Sequence, residues 1–281
     1  MLAITLRAVW RPSSSSRLLS TTTTTSTTDG VKKPATLVLL RHGESMWNSQ
    51  NLYTGWCDVP LTKSGELEAR TAGRLLYDNG FQFDSCHTSL LRRASFTANM
   101  CLNTANQHWV QVHKTWRLNE RHYGLLQGYN KDTAYADLGI DPLLLMRMRR
   151  TWGEPPPKMP DTHPYWHGGD RRYEGLGSED LERSRGESLK MTAERVCKYY
   201  DEEVKPRLLR GENVLIVSHA NTLRSLIKVI DSITEASIKT MTIPTGIPMI
   251  YRLDAETLEP IEPKALPGYG AAPVGYTWGD R

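Results

Sequence analysis

Two short apolar runs, Leu37-Val38-Leu39-Leu40 and Val214-Leu215-Ile216-Val217, each lead within two residues into a histidine, His42 and His219. Runs this brief and this uniformly apolar read as strands buried on both faces, which occur in sheets covered by helices on both sides. A histidine just beyond such a strand lies at the C-terminal edge of the sheet, where open α/β folds build their ligand sites. One such histidine is commonly a polar residue of the core or of a loop. Two of them, about 175 residues apart and with arginines nearby, look like the two halves of one phosphate-handling pocket.

The rest of the chain supplies alternating helices and strands. Strands are predicted at Thr36–Leu40, Phe83–Thr88, Asn213–Ser218 and Pro248–Leu253, with an edge strand at Gln111–Leu118. Residues 61–79 predict a helix capped by Thr62 and stopped by Gly80. Further helices are predicted at Leu90–Thr104, around Pro142 within 132–151, at Glu187–Leu209 and at Leu223–Ile230. Pro155–Gly177 holds too many helix and strand breakers to be regular and reads as a long surface loop. The pattern predicts a single α/β domain with a mostly parallel open sheet and helices on both faces.

Residues 1–28 carry Arg7, Arg11 and Arg17 and no acid, and Ser13–Thr28 is almost entirely Ser and Thr. This is the composition of an organelle transit peptide. Residues 1–33 are therefore read as a transit peptide with a Ser/Thr-rich linker. Mitochondrion is the first destination, with plastid or cytoplasm as alternatives. The domain is expected over 34–262, followed by a tail at 263–281 rich in Gly, Pro and aromatic residues. Without residues 1–30, 32 basic residues face 30 acidic ones, so no nucleic-acid footprint is expected. No run approaches the roughly 18 apolar residues of a membrane span. Cys57, Cys86, Cys101 and Cys197 are scattered without a C-x-x-C pair, and His163 and His167 fall in the breaker-rich loop. The expectation is free thiols and no metal site.

An imidazole is a competent nucleophile toward phosphorus, and the phosphohistidine it forms passes its phosphoryl group on. The transfer needs cations and N–H donors around the equatorial oxygens. Arg41, Arg93 and His219 are the candidates; Arg93 follows the second strand and so reaches the same sheet edge as His42. Gly43 is expected to let the backbone turn so that His42 faces the pocket, and Asn48 with the turn Thr54-Gly55-Trp56 can add donors. Glu120 offers a general acid/base; the plainer reading pairs it with a nearby arginine.

Several blocks carry a family resemblance. They are Arg41-His42-Gly43-Glu44-Ser45, Tyr53-Thr54-Gly55-Trp56, Ser89 with Arg93-Ala94, and Leu118-Asn119-Glu120-Arg121-His122-Tyr123-Gly124. Gln127-Gly128-Tyr129-Asn130-Lys131, Met148-Arg149-Arg150, Glu187-Ser188-Leu189, Ser218-His219-Ala220-Asn221-Thr222-Leu223-Arg224 and Ile243-Pro244-Thr245-Gly246 continue it. Across about residues 35 to 255 the chain resembles the cofactor-dependent phosphoglycerate mutases of the histidine phosphatase superfamily.

The resemblance implies that His42 is phosphorylated and that Glu120 is the acid/base. Arg41, Arg93 and His219, with Asn48 and the backbone at Ala220 and Asn221, would hold the transferring group. Tyr123, Lys131, Arg149 and Arg150 would grip the carboxylate and second phosphate of a small phosphorylated acid, with Thr54 and Gly55 lining that end. It further implies priming by 2,3-bisphosphoglycerate, ping-pong transfer between 3- and 2-phosphoglycerate without a metal, and a homodimer or homotetramer. Alternatives of the same fold are a bisphosphoglycerate mutase/phosphatase or a general phosphatase. From another class, a non-catalytic phosphometabolite-binding scaffold remains.

Two departures stand out. Ala220 occupies a position where the family usually has Gly, which is harmless at negative φ and strained in a left-handed turn. The tail 263–281 lacks the Lys- and Ala-rich character of the bacterial members, which bears on how well the pocket is screened from water.

Overall fold

The computed structural model describes residues 33–238 and 241–262, the side chains of Arg150 and Glu262 excepted. The address read into residues 1–33 (Lys33 apart) and the tail 263–281 lie outside the described residues. Strand β1 (Ala35–Arg41) is followed by a one-turn helix α1 (Met46–Ser49), α2 (Lys63–Asp78), β2 (Ser85–Ser89), α3 (Arg92–Thr104) and β3 (Val112–Thr115). A middle section holds α4 (Ala134–Asp137), α5 (Pro142–Arg150) and α6 (Ser178–Arg183). Helix α7 (Leu189–Tyr199) runs through a π-helical turn, Tyr200–Val204, into α8 (Lys205–Leu209). Strand β4 (Asn213–Ser218), α9 (Ala220–Ile230), α10 (Glu235–Ile238), β5 (Pro248–Leu253) and β6 (Pro260–Glu262) follow.

The strands form one sheet in the order β3-β2-β4-β1-β5-β6. The first four run parallel, while β5 pairs antiparallel with β1 and β6 antiparallel with β5. The expected mostly parallel sheet is therefore observed, with an antiparallel edge. Because side chains alternate along a strand, β1 serves two cores. Leu37 and Leu39 join Val214 and Ile216 of β4 against Leu189 and Val196 of α7 and Leu223 and Leu226 of α9. Val38 and Leu40 join Leu215 and Val217 against Ala72 and Leu76 of α2 and Ala98 and Cys101 of α3. This two-sided burial is what the unbroken apolar runs reported.

Strand β2, Ser-Cys-His-Thr-Ser, is fully buried yet mostly polar. It tolerates burial because its polar groups are bonded: Thr88 Oγ1 donates to Val217 O at 2.8 Å, and His87 Nδ1 lies 2.8 Å from the Tyr199 hydroxyl. Ser89, at its C-terminal end, lies 2.8 Å from His219 Nε2.

Several boundaries differ from expectation, each for a local reason. Phe83 lies before β2 because its N–H is taken by the Gln107 side chain at 2.8 Å instead of a neighbouring strand. The edge strand is cut to four residues, since Thr115 caps a 3₁₀ turn at Trp116–Leu118. The long helix expected from Glu187 begins at Leu189 with Ser188 as its N-cap. It widens into the π turn just ahead of Pro206, whose missing N–H and ring bulk prevent regular pairing with the preceding turn. Helix α9 begins at Ala220, three residues earlier than expected. Thr62 does cap α2, accepting from Gly65 N at 3.0 Å.

Candidate active site

The parallel strands β1, β2 and β4 deliver His42, Ser89 and His219 to one edge of the sheet. There, His42 N donates to Ser218 O at 2.9 Å and the His42 and His219 rings lie 4.9 Å apart, edge to face. Gly43 does not take a left-handed turn. It is a point of contact: a Cβ there would stand 2.1 Å from Gly65 O, and one on Gly65 would stand 2.1 Å from Glu44 O. Beyond the turn expected of Gly43, the site needs close approach of the β1 loop to the start of α2. Gly43 N also donates to Thr97 Oγ1 of α3 at 3.1 Å.

The state of His42 follows from its contacts. Its Nδ1 lies 2.7 Å from Gly43 O, and a carbonyl only accepts, so Nδ1 carries the proton and Nε2 keeps its lone pair. Burial, then Arg93 and Arg41, push its pKa well below the ordinary histidine value. The ring is therefore a neutral nucleophile at neutral pH. His219 is fully buried and depressed by the same causes, burial first and then Arg93 and His42. Ser89 Oγ accepts from Leu91 N, and its own buried proton needs an acceptor, which His219 Nε2 provides at 2.8 Å. That places the His219 ring proton on Nδ1, a buried donor without a partner among the described residues.

Two guanidiniums complete this end. Arg93, 1% exposed, is held by Gly55 O at 2.7 Å and Cys57 O at 2.8 Å, and burial lowers its pKa to about 10, so it remains charged. Arg41 donates to Ile243 O at 2.7 Å. Both leave a buried Nε–H unmatched among the described residues. Unmatched buried donors beside a neutral nucleophile form a cradle for the oxygens of a phosphoryl group. The N-terminus of α9 adds backbone donors and a favourable dipole. Ala220 is its first residue and is absent from the positive-φ residues, so its methyl causes no strain.

Glu120 is buried beside these groups, its Oε1 accepting from Arg121 N at 2.8 Å and Asn221 N at 3.2 Å. Among the described residues Glu120 makes no side-chain hydrogen bond to an arginine: its carboxylate accepts from main-chain amides, and Arg41 and Arg93 act on it only through their charge, which leaves the carboxylate able to handle a proton. A cavity of about 330 Å³ is lined by Arg41, His42, Asn48, Thr54, Gly55, Arg93, Glu120, Tyr123, Lys131, Arg149, Ala220 and Asn221. The structure thus brings together twelve of the expected site residues. His219 is fully buried against the His42 ring, and the Arg150 side chain lies outside the described ones.

Orientation within the cavity is set by neighbours. Asn48 Oδ1 accepts from the Ser45 N–H and hydroxyl, which turns its amide N–H₂ outward. Asn221 Nδ2 donates to the Tyr123 hydroxyl at 2.8 Å, so that hydroxyl points its own proton elsewhere. Gly55 has φ +51°, and a Cβ there would lie 1.9 Å from Gln127 Oε1, which instead accepts from Trp56 N at 2.9 Å. At the cavity's second cationic cluster, burial and then Arg149 and Arg41 lower the Lys131 pKa. Like charges that mutually destabilise in this way are poised for an anion.

Arg224, Thr242, Leu52 and Tyr53 also line the cavity, and sequence reasoning gave them no role. Arg224 had a usable signal: it lies one turn beyond Ala220, on the same helical face once α9 begins there. Its Nη1 donates to Asn221 Oδ1 at 3.2 Å, which fixes which way that amide faces. Thr242 carried no signal. Among the described residues no group of three or more metal-ligating side chains occurs. His167 bonds Ser184 and packs against Trp56.

Five buried histidines have depressed pKa values: His42, His122 and His219 well below the ordinary value, His167 to about 4 and His87 to about 3, each chiefly by burial. They are neutral when folded but gain protons below about pH 6.5 when unfolded, so stability falls as pH falls through that value. Each adds roughly 1 kcal/mol per pH unit once its unfolded form is protonated. The urea unfolding midpoint is expected to drop steadily from pH 7 to pH 5. A flat midpoint would mean that these rings are charged in the folded protein.

The profile of the histidine phosphatase superfamily (branch 1) matches residues 37–258. The 2,3-bisphosphoglycerate-dependent phosphoglycerate mutase of Corynebacterium efficiens is 48% identical over 220 residues, 78% of this chain and 86% of that protein. The mutase of that name from Nitratidesulfovibrio vulgaris is 46% identical over 231 residues, 82% and 91% of the two chains. Among solved structures, Bacillus stearothermophilus YhfR superposes with a TM-score of 0.61 at 23% identity, covering 81% of this chain and 95% of that one. The phosphoglycerate mutase from Bacillus anthracis superposes at 0.53 with 22% identity, covering 82% and 94%, and these two likenesses concern the fold. On the matched span and the identity to curated relatives, the chain belongs to the histidine phosphatase superfamily, branch 1, and within it to the family of the 2,3-bisphosphoglycerate-dependent phosphoglycerate mutases.

Proposed function

We propose that the protein interconverts 3-phosphoglycerate and 2-phosphoglycerate, a step of glycolysis and gluconeogenesis, by phosphoryl transfer through Nε2 of His42. The observation that carries this reading is the pairing of two sites in one cavity. A neutral histidine beside Arg41, Arg93 and the α9 N-terminus can exchange a phosphoryl group, while Lys131, Arg149 and Tyr123 offer a place for a second anion. A generic phosphatase has no use for the second set. A bisphosphorylated glycerate, when bound, supplies the phosphoryl group that primes His42.

The chain's own residues then divide the work. His42 Nε2 attacks in line with the leaving oxygen, and Arg41, Arg93 and the His219 Nδ1–H meet the charge on the equatorial oxygens. Glu120 gives a proton to the oxygen that leaves and takes one from the hydroxyl that attacks on return, so one carboxyl serves both directions. Tyr123, Lys131 and Arg149 hold the rest of the glycerate so that either hydroxyl can face His42.

The test is an assay of the full chain on 3-phosphoglycerate, with chelator present, with and without a trace of 2,3-bisphosphoglycerate. The expected result is formation of 2-phosphoglycerate that depends on the trace and ignores the chelator. Release of inorganic phosphate without 2-phosphoglycerate would mean that water intercepts the phosphohistidine, and the reading would change to phosphatase.

A further inference from the structure

An acid/base carboxylate works only if it is held within hydrogen-bond reach of the oxygen it serves, and among the described residues Glu120's side chain receives two amide contacts, both on Oε1. Its main chain is held far more firmly. Arg195, on α7, donates through Nη1 to Arg117 O at 2.7 Å and Asn119 O at 2.9 Å, and through Nη2 to Glu120 O at 2.9 Å. Its other donors go to Glu187, Nε to Oε1 at 2.6 Å and Nη2 to Oε2 at 2.8 Å. A guanidinium has five N–H groups, and here all five are matched.

The partner carboxylate extends the grip. Glu187 Oε2 also accepts from His122 N at 2.8 Å, so the segment from Arg117 to His122 is fastened at four main-chain points by one ion pair. The pair's side chains are only 8% and 5% exposed. Trp56 Nε1 donates to the same Glu120 carbonyl at 2.7 Å and closes the cage. Buried ion pairs contribute little net stability against apolar packing, whereas a fully used planar fork fixes geometry that an ammonium with three donors cannot reproduce.

We propose that Arg195, locked by Glu187, is a positioning residue for Glu120. It never touches substrate; it sets where the carboxylate stands. This rests on Glu120 being the acid/base. It predicts a defect confined to steps in which a proton moves.

The test is single-turnover phosphorylation of His42 in the full chain from two donors. One is 2,3-bisphosphoglycerate, whose leaving alkoxide needs a proton. The other is p-nitrophenyl phosphate, whose phenolate leaves without one. The readout is the ratio of the two rates. In Arg195→Ala this ratio is expected to fall about 100-fold, the scale of a 1 Å misplacement of a catalytic group. Arg195→Lys, which keeps the charge and is the safer variant for folding, should move it in the same direction. Equal slowing with both donors in these variants, or no slowing, would reduce Arg195 to a structural residue and overturn the proposal. Glu120→Gln separates the two ideas. If it fails to lower the ratio, the acid/base reading falls and the positioning role with it. If it lowers the ratio while the Arg195 variants do not, the positioning role alone falls.

Discussion

Replacing His42 with alanine is expected to lower mutase turnover by on the order of 10⁴- to 10⁶-fold, the scale on which covalent enzymes lose rate when the nucleophile is removed. The magnitude follows from the site's division of labour. The neutral ring, with its proton fixed on Nδ1 by Gly43 O, is the nucleophile the pocket presents, and the surrounding arginines stabilise a transfer but cannot accept the group. His219→Ala should cost less, about 10²- to 10³-fold, because it removes one donor from a cradle that keeps Arg41 and Arg93. Incubation with labelled 2,3-bisphosphoglycerate reads the same point directly. The wild-type chain should acquire acid-labile, alkali-stable label, and the His42 variant none. Acid-labile label persisting in His42→Ala would move the nucleophile elsewhere.

Gly43→Ala carries the largest expected stability effect. The new methyl would stand 2.1 Å from Gly65 O, 2.7 Å from its carbonyl carbon and 2.8 Å from its Cα. All three are backbone atoms at the start of α2, so relief requires moving a helix against the β1 loop. A cost of about 3 kcal/mol is expected, at the upper end for overpacking, which for a domain of this size lowers the thermal midpoint by roughly 6–12 °C. Gly65→Ala should behave alike, its methyl meeting Glu44 O at 2.1 Å. Gly153→Ala is the control, with nothing within 4 Å of the added carbon. If Gly43→Ala melts with the wild type and phosphorylates normally, the two backbones are not in the contact described.

The parts of the fold legible in the sequence are those where one segment's chemistry decides its own structure. The unbroken apolar runs of β1 and β4 reported burial on both faces, and Thr62 announced the start of α2. Helix α6 was missed because Ser-Glu-Asp-Leu-Glu-Arg is polar almost all round and shows no apolar stripe. Strand β6, three residues beginning at a proline, offers no period to detect. Within the site, His42, Arg93, Glu120 and His219 were visible because strand ends and motif spacing point to them. Arg195 was not: its bonds to Arg117, Asn119 and Glu120 span about 75 residues, and on α7 it reads as one more charge on an exposed face.

The strand order has a consequence for how the chain comes to be folded. Strands β1 and β2 never pair with each other; β4 lies between them and bonds both. A ribosome makes β1, β2 and β3 well before residue 213 emerges, so during that interval the two inner strands have no partner for their facing edges. Open edges of that kind invite pairing with other chains. The enzyme's chemistry is equally late, since His42 waits for His219 to arrive on the strand that closes the gap. Synthesis therefore passes through a stage that needs protection from aggregation, and catalytic competence arrives together with the middle of the sheet.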